Sequence, residues 1–132
     1  MARISLDIDT AASVIVLPML FQGPRDVRWL KMVLDTGASI TTITIEAAIA
    51  IGCDPATSKK RIEMITASGT EYAPVITIPT ISFLQFTLHQ VEVVCHNLPP
   101  QALASGLLGL NVLKRFDIHL NFRQQSLEIA DT

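Results

Sequence analysis

The chain has 132 residues, of which 49% are hydrophobic and 17% charged, and its formal net charge is −2. This length suits one domain with a hydrophobic core, so we expect residues 1–132 to form a single domain. The charge excludes a basic nucleic-acid surface, and the longest apolar run, residues 11–21, is too short for a membrane-spanning helix.

Short β-strands dominate the predicted structure. They are runs of alternating or continuous apolar residues that end at Gly, Pro, Asn or polar positions. In chain order they cover residues 4–8, 14–17, 29–34, 75–78, 81–86, 91–94 and 116–122. Strands this short, at a spacing of roughly ten residues, are typical of an all-β sandwich or barrel.

Two short segments have helical character. In the first, Thr44 is placed to cap the N-terminus, Glu46 lies in the first turn and Gly52 ends the segment. The second starts after Gly109 and carries Lys114 and Arg115, which we expect in its last turn, where cations favour the helix dipole.

Residues 61–76, RIEMITASGTEYAPVI, predict a hairpin. Two extended arms flank Ser68-Gly69, a dipeptide that suits a tight turn.

The stretch VLDTGASITTI, residues 33–43, places Asp35 directly after an apolar strand. Gly37 lets the backbone turn closely, so that amide groups approach the carboxylate, and Thr36 adds a short hydroxyl. Two interpretations remain open on these residues alone. Asp35 either stabilises an ordinary turn after a strand or belongs to an acid–base site.

A second motif favours the acid–base interpretation. About seventy residues later, SGLLGLNVL (105–113) sets two apolar residues and a glycine before a short helix. The chain carries Asp-Thr-Gly, then a glycine-tipped hairpin, then apolar-apolar-Gly. Motifs in this order resemble those of the retropepsin-like aspartic proteases. The resemblance covers about residues 28–130, and LLGLNVLKRFDIHLNFRQQSLEI is similar to the protease domain of the DNA-damage-inducible ubiquitin-shuttle proteins and their bacterial relatives. It implies an all-β, closed-barrel lobe with one or two short helices and a flap hairpin.

The resemblance also implies roles for residues. Asp35 matches the catalytic aspartate, Thr36 the residue that braces the opposing loop, and Gly37 the glycine beside the carboxylate. Leu107-Leu108-Gly109 matches the segment that packs beneath the catalytic loop. Residues expected to bind substrate at the flap and pocket are Ser39, Ile65, Ala67, Ser68 and Gly69, with Ile40 and Ile78 as further pocket residues.

Peptide hydrolysis of this kind needs two carboxylates that share one proton. The chain has one Asp-Thr-Gly and is long enough for one lobe. We therefore expect a homodimer in which Asp35 meets its own copy across a two-fold axis. This dimer would also bury part of the apolar surface that the high hydrophobic content implies. A polypeptide is the expected substrate, and neither a cofactor nor a metal is expected.

Three positions depart from better-known relatives. Ser39 and Leu110 stand where viral members carry an acidic residue and an arginine that pair as ions, and Ala38 stands where digestive acid proteases have a serine. The chain also continues past the second helix through a predicted hairpin with residues 123–126 at its turn. Viral members end sooner, so we expect the dimer interface to be built differently.

Two alternatives to a protease stay open. The same fold could serve as a dimerisation or peptide-binding module without turnover, or the chain could be an unrelated small β-barrel in which Asp35 caps a turn. The two cysteines, Cys53 and Cys95, are too few for a disulfide framework, and with no targeting segment in view they favour a cytoplasmic location.

Overall fold

The computed structural model describes residues 3–9, 11–99, 102 and 104–131. These residues are mostly β-strand. The strands are β1 (Arg3–Asp7), β2 (Val16–Gln22), β3 (Val27–Leu34), β4 (Thr42–Ile43), β5 (Lys60–Thr66), β6 (Gly69–Phe83), β7 (Phe86–Cys95), β8 (Gly106–Leu108), β9 (Asp117–Asn121) and β10 (Ser126–Ala130). Two helices, α1 (Ile45–Ala50) and α2 (Leu110–Leu113), and a 3₁₀ turn, Pro55–Thr57, complete the elements.

Six strands close into a barrel in the order β2-β3-β8-β4-β7-β6. Closure comes from the antiparallel pairing of β2 with β6, in which Leu20 lies opposite Ser82 and Phe21 opposite Ile81. Strand β5 extends this sheet beyond the ring by pairing with β6. A separate antiparallel sheet has the order β1-β10-β9. The predicted all-β closed barrel is confirmed.

Alternation along the strands fills the barrel. On β2, Leu17, Met19 and Phe21 are buried while the residues between them point outward or are less buried. Leu127 and Ile129 of β10 belong to the same core cluster, so the three-stranded sheet covers the barrel from outside.

Strand β6 runs unbroken through Pro79, where two separate strands were predicted. The ladder to β7 has Ile78 opposite Val91 and Thr80 opposite His89, with no pairing recorded at Pro79 itself. Gln90, the residue facing that gap, has a φ of +52°. A local irregularity on β7 therefore accommodates the missing proline N–H, and the strand continues.

Strand β2 also includes a proline, and it begins at Val16, not at residue 14. Pro18 precedes the β2–β6 pairing, which begins at Leu20 in the described chain. At this position β2 pairs with β3 on one side, so the absent N–H of Pro18 leaves the ladder intact.

Helix α1 agrees with its predicted signals. The Thr44 side chain accepts a hydrogen bond from Ala47 N at 3.1 Å, Glu46 lies in the first turn, and Gly52 follows the helix with a φ of +89°.

The prediction for α2 is wrong at its C-terminal end. Lys114 is the C-cap and Arg115 lies beyond the helix. Arg115 N bonds to Val112 O and Phe116 N to Leu113 O, so the chain tightens into three-residue turns that end the helix early.

The predicted hairpin is present as β5 and β6. Its turn lies at Ala67-Ser68, one residue earlier than predicted, because Thr66 pairs with Gly69. Gly69 has a φ of +121°, which favours glycine at the first position of β6.

Candidate active site

Asp35 stands where two parallel strands end together. Strand β3 ends at Leu34, which lies opposite Leu108 at the end of β8. Asp35 N donates a hydrogen bond to Leu108 O at 3.1 Å, which fixes the start of the loop against the second motif. The sequence thus brings Asp-Thr-Gly and Leu-Leu-Gly to the same edge of the barrel, and the Asp35 side chain there is half-buried.

The loop after Asp35 turns tightly around its carboxylate. Gly37 N donates to Asp35 Oδ1 at 2.9 Å, and Ala38 N donates to Asp35 O at 3.2 Å. Thr36 and Gly37 are both exposed. The predicted glycine beside the carboxylate is therefore in contact with it, and the carboxylate is oriented by a backbone donor.

The far end of the loop is held by the segment after β8. Leu110 N donates to Ala38 O at 2.8 Å, and Gly109 N donates to Thr41 Oγ1 at 3.0 Å. A Cβ on Gly109 would lie 2.6 Å from the carbonyl carbon of Ile40, so this close approach requires glycine. The predicted packing of Leu107-Leu108-Gly109 beneath the loop is present.

Asn111 ties three parts of the chain together. Its Oδ1 accepts hydrogen bonds from both N and Oγ1 of Thr41, each at 2.8 Å, and its Nδ2 donates to Glu92 O on β7 at 2.8 Å. Thr41 is completely buried, so its polar groups depend on these partners. Our sequence analysis missed both residues. The sequence feature that could have identified Asn111 is an amide side chain in the first turn of the helix after Leu-Leu-Gly.

A groove of about 360 Å³ opens on the Gly37 side of the loop. Its floor is the loop and β8, and its wall is strand β5 of the hairpin. The residues that line it are Gly37, Ala38, Ser39, Ile40, Thr42, Ile62, Glu63, Met64, Ile65 and Leu107. Within this described lining, Glu63 is the single ionisable side chain, so the groove favours apolar groups.

Three of the residues predicted to bind substrate, Ser39, Ile40 and Ile65, line this groove. Ala67, Ser68 and Gly69 lie at the hairpin turn, outside its lining. The prediction for Ile78 is wrong. Its side chain is completely buried in the barrel core, because β6 turns this position inward.

A side-chain contact ties the hairpin to the end of β7. His96 Nε2 lies 2.9 Å from Glu71 Oε2, which joins the end of β7 to the outer part of β6. Both side chains are partly exposed, so this contact orients the hairpin more than it stabilises the fold.

The two cysteines are free thiols near the core. Burial, followed by the nearby Cys53, raises the pKa of Cys95 from 9.0 to about 12, and burial raises the pKa of Cys53 as well. Neither environment activates a nucleophile. Across the described ranges, no group of three or more His, Cys, Asp or Glu side chains is arranged to hold a metal ion, and no helix is long and apolar enough to cross a bilayer.

Comparisons with known proteins bear on the family and the fold of the chain. Residues 26–115 match the family model described as "gag-polyprotein putative aspartyl protease". No curated protein matches the sequence. Among solved structures, a retropepsin-like aspartic protease from Rickettsia conorii superposes with a TM-score of 0.75 over 97% of this chain and 89% of that chain, at 20% sequence identity. That likeness shows a shared fold.

Proposed function

Because the chain belongs to the gag-polyprotein aspartyl protease family and has the retropepsin-like fold, we propose that it is an aspartic endopeptidase active as a homodimer. The observation that carries this proposal is the loop of Asp35. In this loop a backbone N–H donates to the Asp35 carboxylate, and the residues that follow line an apolar groove. Hydrogen bonds join the loop to the Leu-Leu-Gly segment.

In the proposed mechanism, the Asp35 carboxyl groups of two protomers share one proton. Like charges a few ångströms apart do not both ionise, so one carboxyl stays protonated. The ionised carboxylate takes a proton from a water molecule, whose oxygen attacks the scissile carbonyl carbon. The protonated carboxyl donates a hydrogen bond to the carbonyl oxygen. Proton transfer to the amide nitrogen then releases the amine product.

Thr36 and Gly37 support this chemistry. Gly37 donates to Asp35 Oδ1 and so fixes the orientation of the carboxylate. Thr36 is exposed next to Asp35, and its hydroxyl would brace the loop of the second protomer.

The proposed substrate is a polypeptide bound in extended form. It would lie between the loop and the β5–β6 hairpin, which acts as a flap, and its main chain would pair as an added strand. Ser39 and Ile65 would contact an apolar side chain in the groove, and Ala67, Ser68 and Gly69 would cover the peptide from the turn. A cytoplasmic location remains a prediction from the sequence.

The test compares the wild type with Asp35→Asn in a peptide-library or casein assay from pH 3 to 7, with the mass in solution measured in parallel. We expect a dimeric wild type that cleaves, and a dimeric Asp35→Asn protein whose kcat/KM falls about a hundredfold to ten-thousandfold, because an essential acid–base group is lost.

Asp117→Asn is the matched control, since Asp117 is exposed on β9 outside the loop, and it is expected to cleave like the wild type. A wild-type dimer that cleaves nothing would reject the enzyme in favour of a peptide-binding module. A protein that remains monomeric at every concentration would reject the paired-aspartate mechanism.

A further inference from the structure

A second cavity also borders the Asp35 loop. Its volume is about 310 Å³. It is lined by Ile8, Asp9, Ala12, Ser13, Val14, Ile15, Leu34, Thr36, Leu120 and Phe122, which we call the Phe122 patch. Gly37 lines the groove, and the adjacent residue Thr36 lines the Phe122 patch. The Asp35 loop therefore contributes to both surfaces.

The Phe122 patch presents apolar side chains at its rim. Phe122 is 61% exposed and Val14 is 48% exposed, while Leu34 and Leu120 are half-buried in its wall. Most of the phenylalanine side chain is therefore left in contact with water by its own protomer. Contiguous exposed apolar surface is typical of sites that bind a partner.

The patch is built from segments held firmly in place. Leu34 N donates to Ile15 O at 2.8 Å, and Ile8 N donates to Gln125 O at 2.9 Å. Residues 122–125 form the turn between β9 and β10, and Gln125 N donates to Phe122 O at 3.3 Å. These hydrogen bonds hold the segments around Ile15 and the β9–β10 turn in place before any partner binds.

The occupant follows from the chemistry of Asp35. If two copies of Asp35 meet across a two-fold axis, the partner subunit must contact the surface beside the Asp35 loop, and Thr36 of that loop lines the Phe122 patch. A two-fold contact is self-complementary, so a patch with both a cavity and a projecting side chain can pack on its own copy. The lining includes one ionisable residue, Asp9, whose Oδ1 accepts a hydrogen bond from Ala11 N, and interface cores are similarly poor in charge.

We propose that the Phe122 patch is the surface on which a second copy of this chain docks, with Phe122 as its anchor side chain. The inference rests on the proposed homodimeric protease and assigns its interface. It also explains how the longer C-terminal hairpin contributes to the enzyme, since the β9–β10 turn then supplies the contact that holds the two Asp35 loops together.

The test is sedimentation velocity across a range of concentrations on Phe122→Glu and on Trp29→Glu. Trp29 is 67% exposed but lies on β3 outside the Phe122 patch, so it controls for loss of an exposed aromatic residue. We expect Phe122→Glu to raise the dimer dissociation constant at least about thirtyfold, as for a central interface residue, and Trp29→Glu to leave it within about twofold. Circular dichroism should show that both variants remain folded.

Hydrogen exchange of the wild type gives a test that needs no variant. Amides of residues 11–15 and 121–125 should exchange more slowly as dimer forms, while those of residues 27–30 should not change. If the wild type dimerises and cleaves but Phe122→Glu keeps the wild-type dissociation constant and these amides stay unprotected, the interface is elsewhere and the protease proposal stands. A wild type that never dimerises would overturn both.

Discussion

The loop that carries Asp35 is held at both ends, by the Asp-Thr-Gly residues at one end and by the Thr41–Asn111 contact at the other. Asp-Thr-Gly supplies the carboxylate and its backbone donor. The other end of the loop is fixed because Asn111 satisfies the buried Thr41, whose hydroxyl in turn accepts from Gly109 N. A hydrogen-bond network of this kind holds its members in one geometry when every group is satisfied.

Replacing Asn111 with alanine should release this network. Thr41 N and Oγ1 would lose their Asn111 partner while buried, and Glu92 O would lose its donor at an exposed position, so we expect Asn111→Ala to lower the free energy of unfolding by about 2–4 kcal/mol. Urea denaturation measures the change, and Asn97→Ala, at an exposed position in the loop after β7, is the matched control. A loss equal to that of the control would show that the network does not hold the loop.

The Cys95 thiol should make stability fall at alkaline pH. Burial raises its pKa from 9.0 to about 12, so in the folded protein it keeps its proton where the unfolded chain releases it. The stabilising contribution is therefore complete below about pH 9 and is lost as the pH rises toward 12. Urea denaturation from pH 8 to 11 should show a steeper decline for the wild type than for Cys95→Ala; parallel declines would contradict this account.

At the scale of the elements, the sequence predicts strands and hairpins better than it predicts where they end. The alternation of Ile4, Leu6 and Ile8 and the cap at Thr44 act locally, so β1 and α1 are found where expected. Pro79 is a strong local signal for a break, yet β6 continues past it because β7 accommodates it at Gln90. Such compensation lies on another strand and is not visible in the residues around the proline.

The hairpin turn gives an element-scale prediction. At Gly69 the φ of +121° is unfavourable for any residue with a Cβ, so Gly69→Ala should strain the turn by about 1–3 kcal/mol. Because β5 lies outside the closed barrel, we expect the strain to appear as faster hydrogen exchange at residues 64–71 and a several-fold higher KM, with little change in Tm.

Thr70→Ala is the control for that experiment, since Thr70 is exposed and adjacent on β6. If Gly69→Ala lowers Tm as strongly as a core substitution, the hairpin belongs to the cooperative core and does not move as a flap.

At the scale of the whole molecule, the sequence predicts the fold and the Asp35 loop. It does not predict the surfaces around that loop. Asp35, Gly37 and the Leu-Leu-Gly segment are recognisable because each motif is contiguous. The groove and the Phe122 patch are each assembled from separate segments, so their members, such as Met64 or Leu120, carry no local mark of their role. Ile78 illustrates the same limit, since only the pairing of β6 decides which face points into the core.

The central claim is that catalysis needs one Asp35 from each of two chains, and mixed dimers test it most directly. Wild type and Asp35→Asn are combined at constant total concentration, allowed to exchange subunits, and assayed for peptide cleavage. If random exchange leaves activity only in dimers with two aspartates, an equal mixture should keep about one quarter of the wild-type activity. An equal mixture with Asp117→Asn should keep nearly all of it. About one half of the activity in the equal mixture would show that each protomer acts with its own Asp35, and about three quarters would show that one Asp35 per dimer is enough; either result would contradict the account.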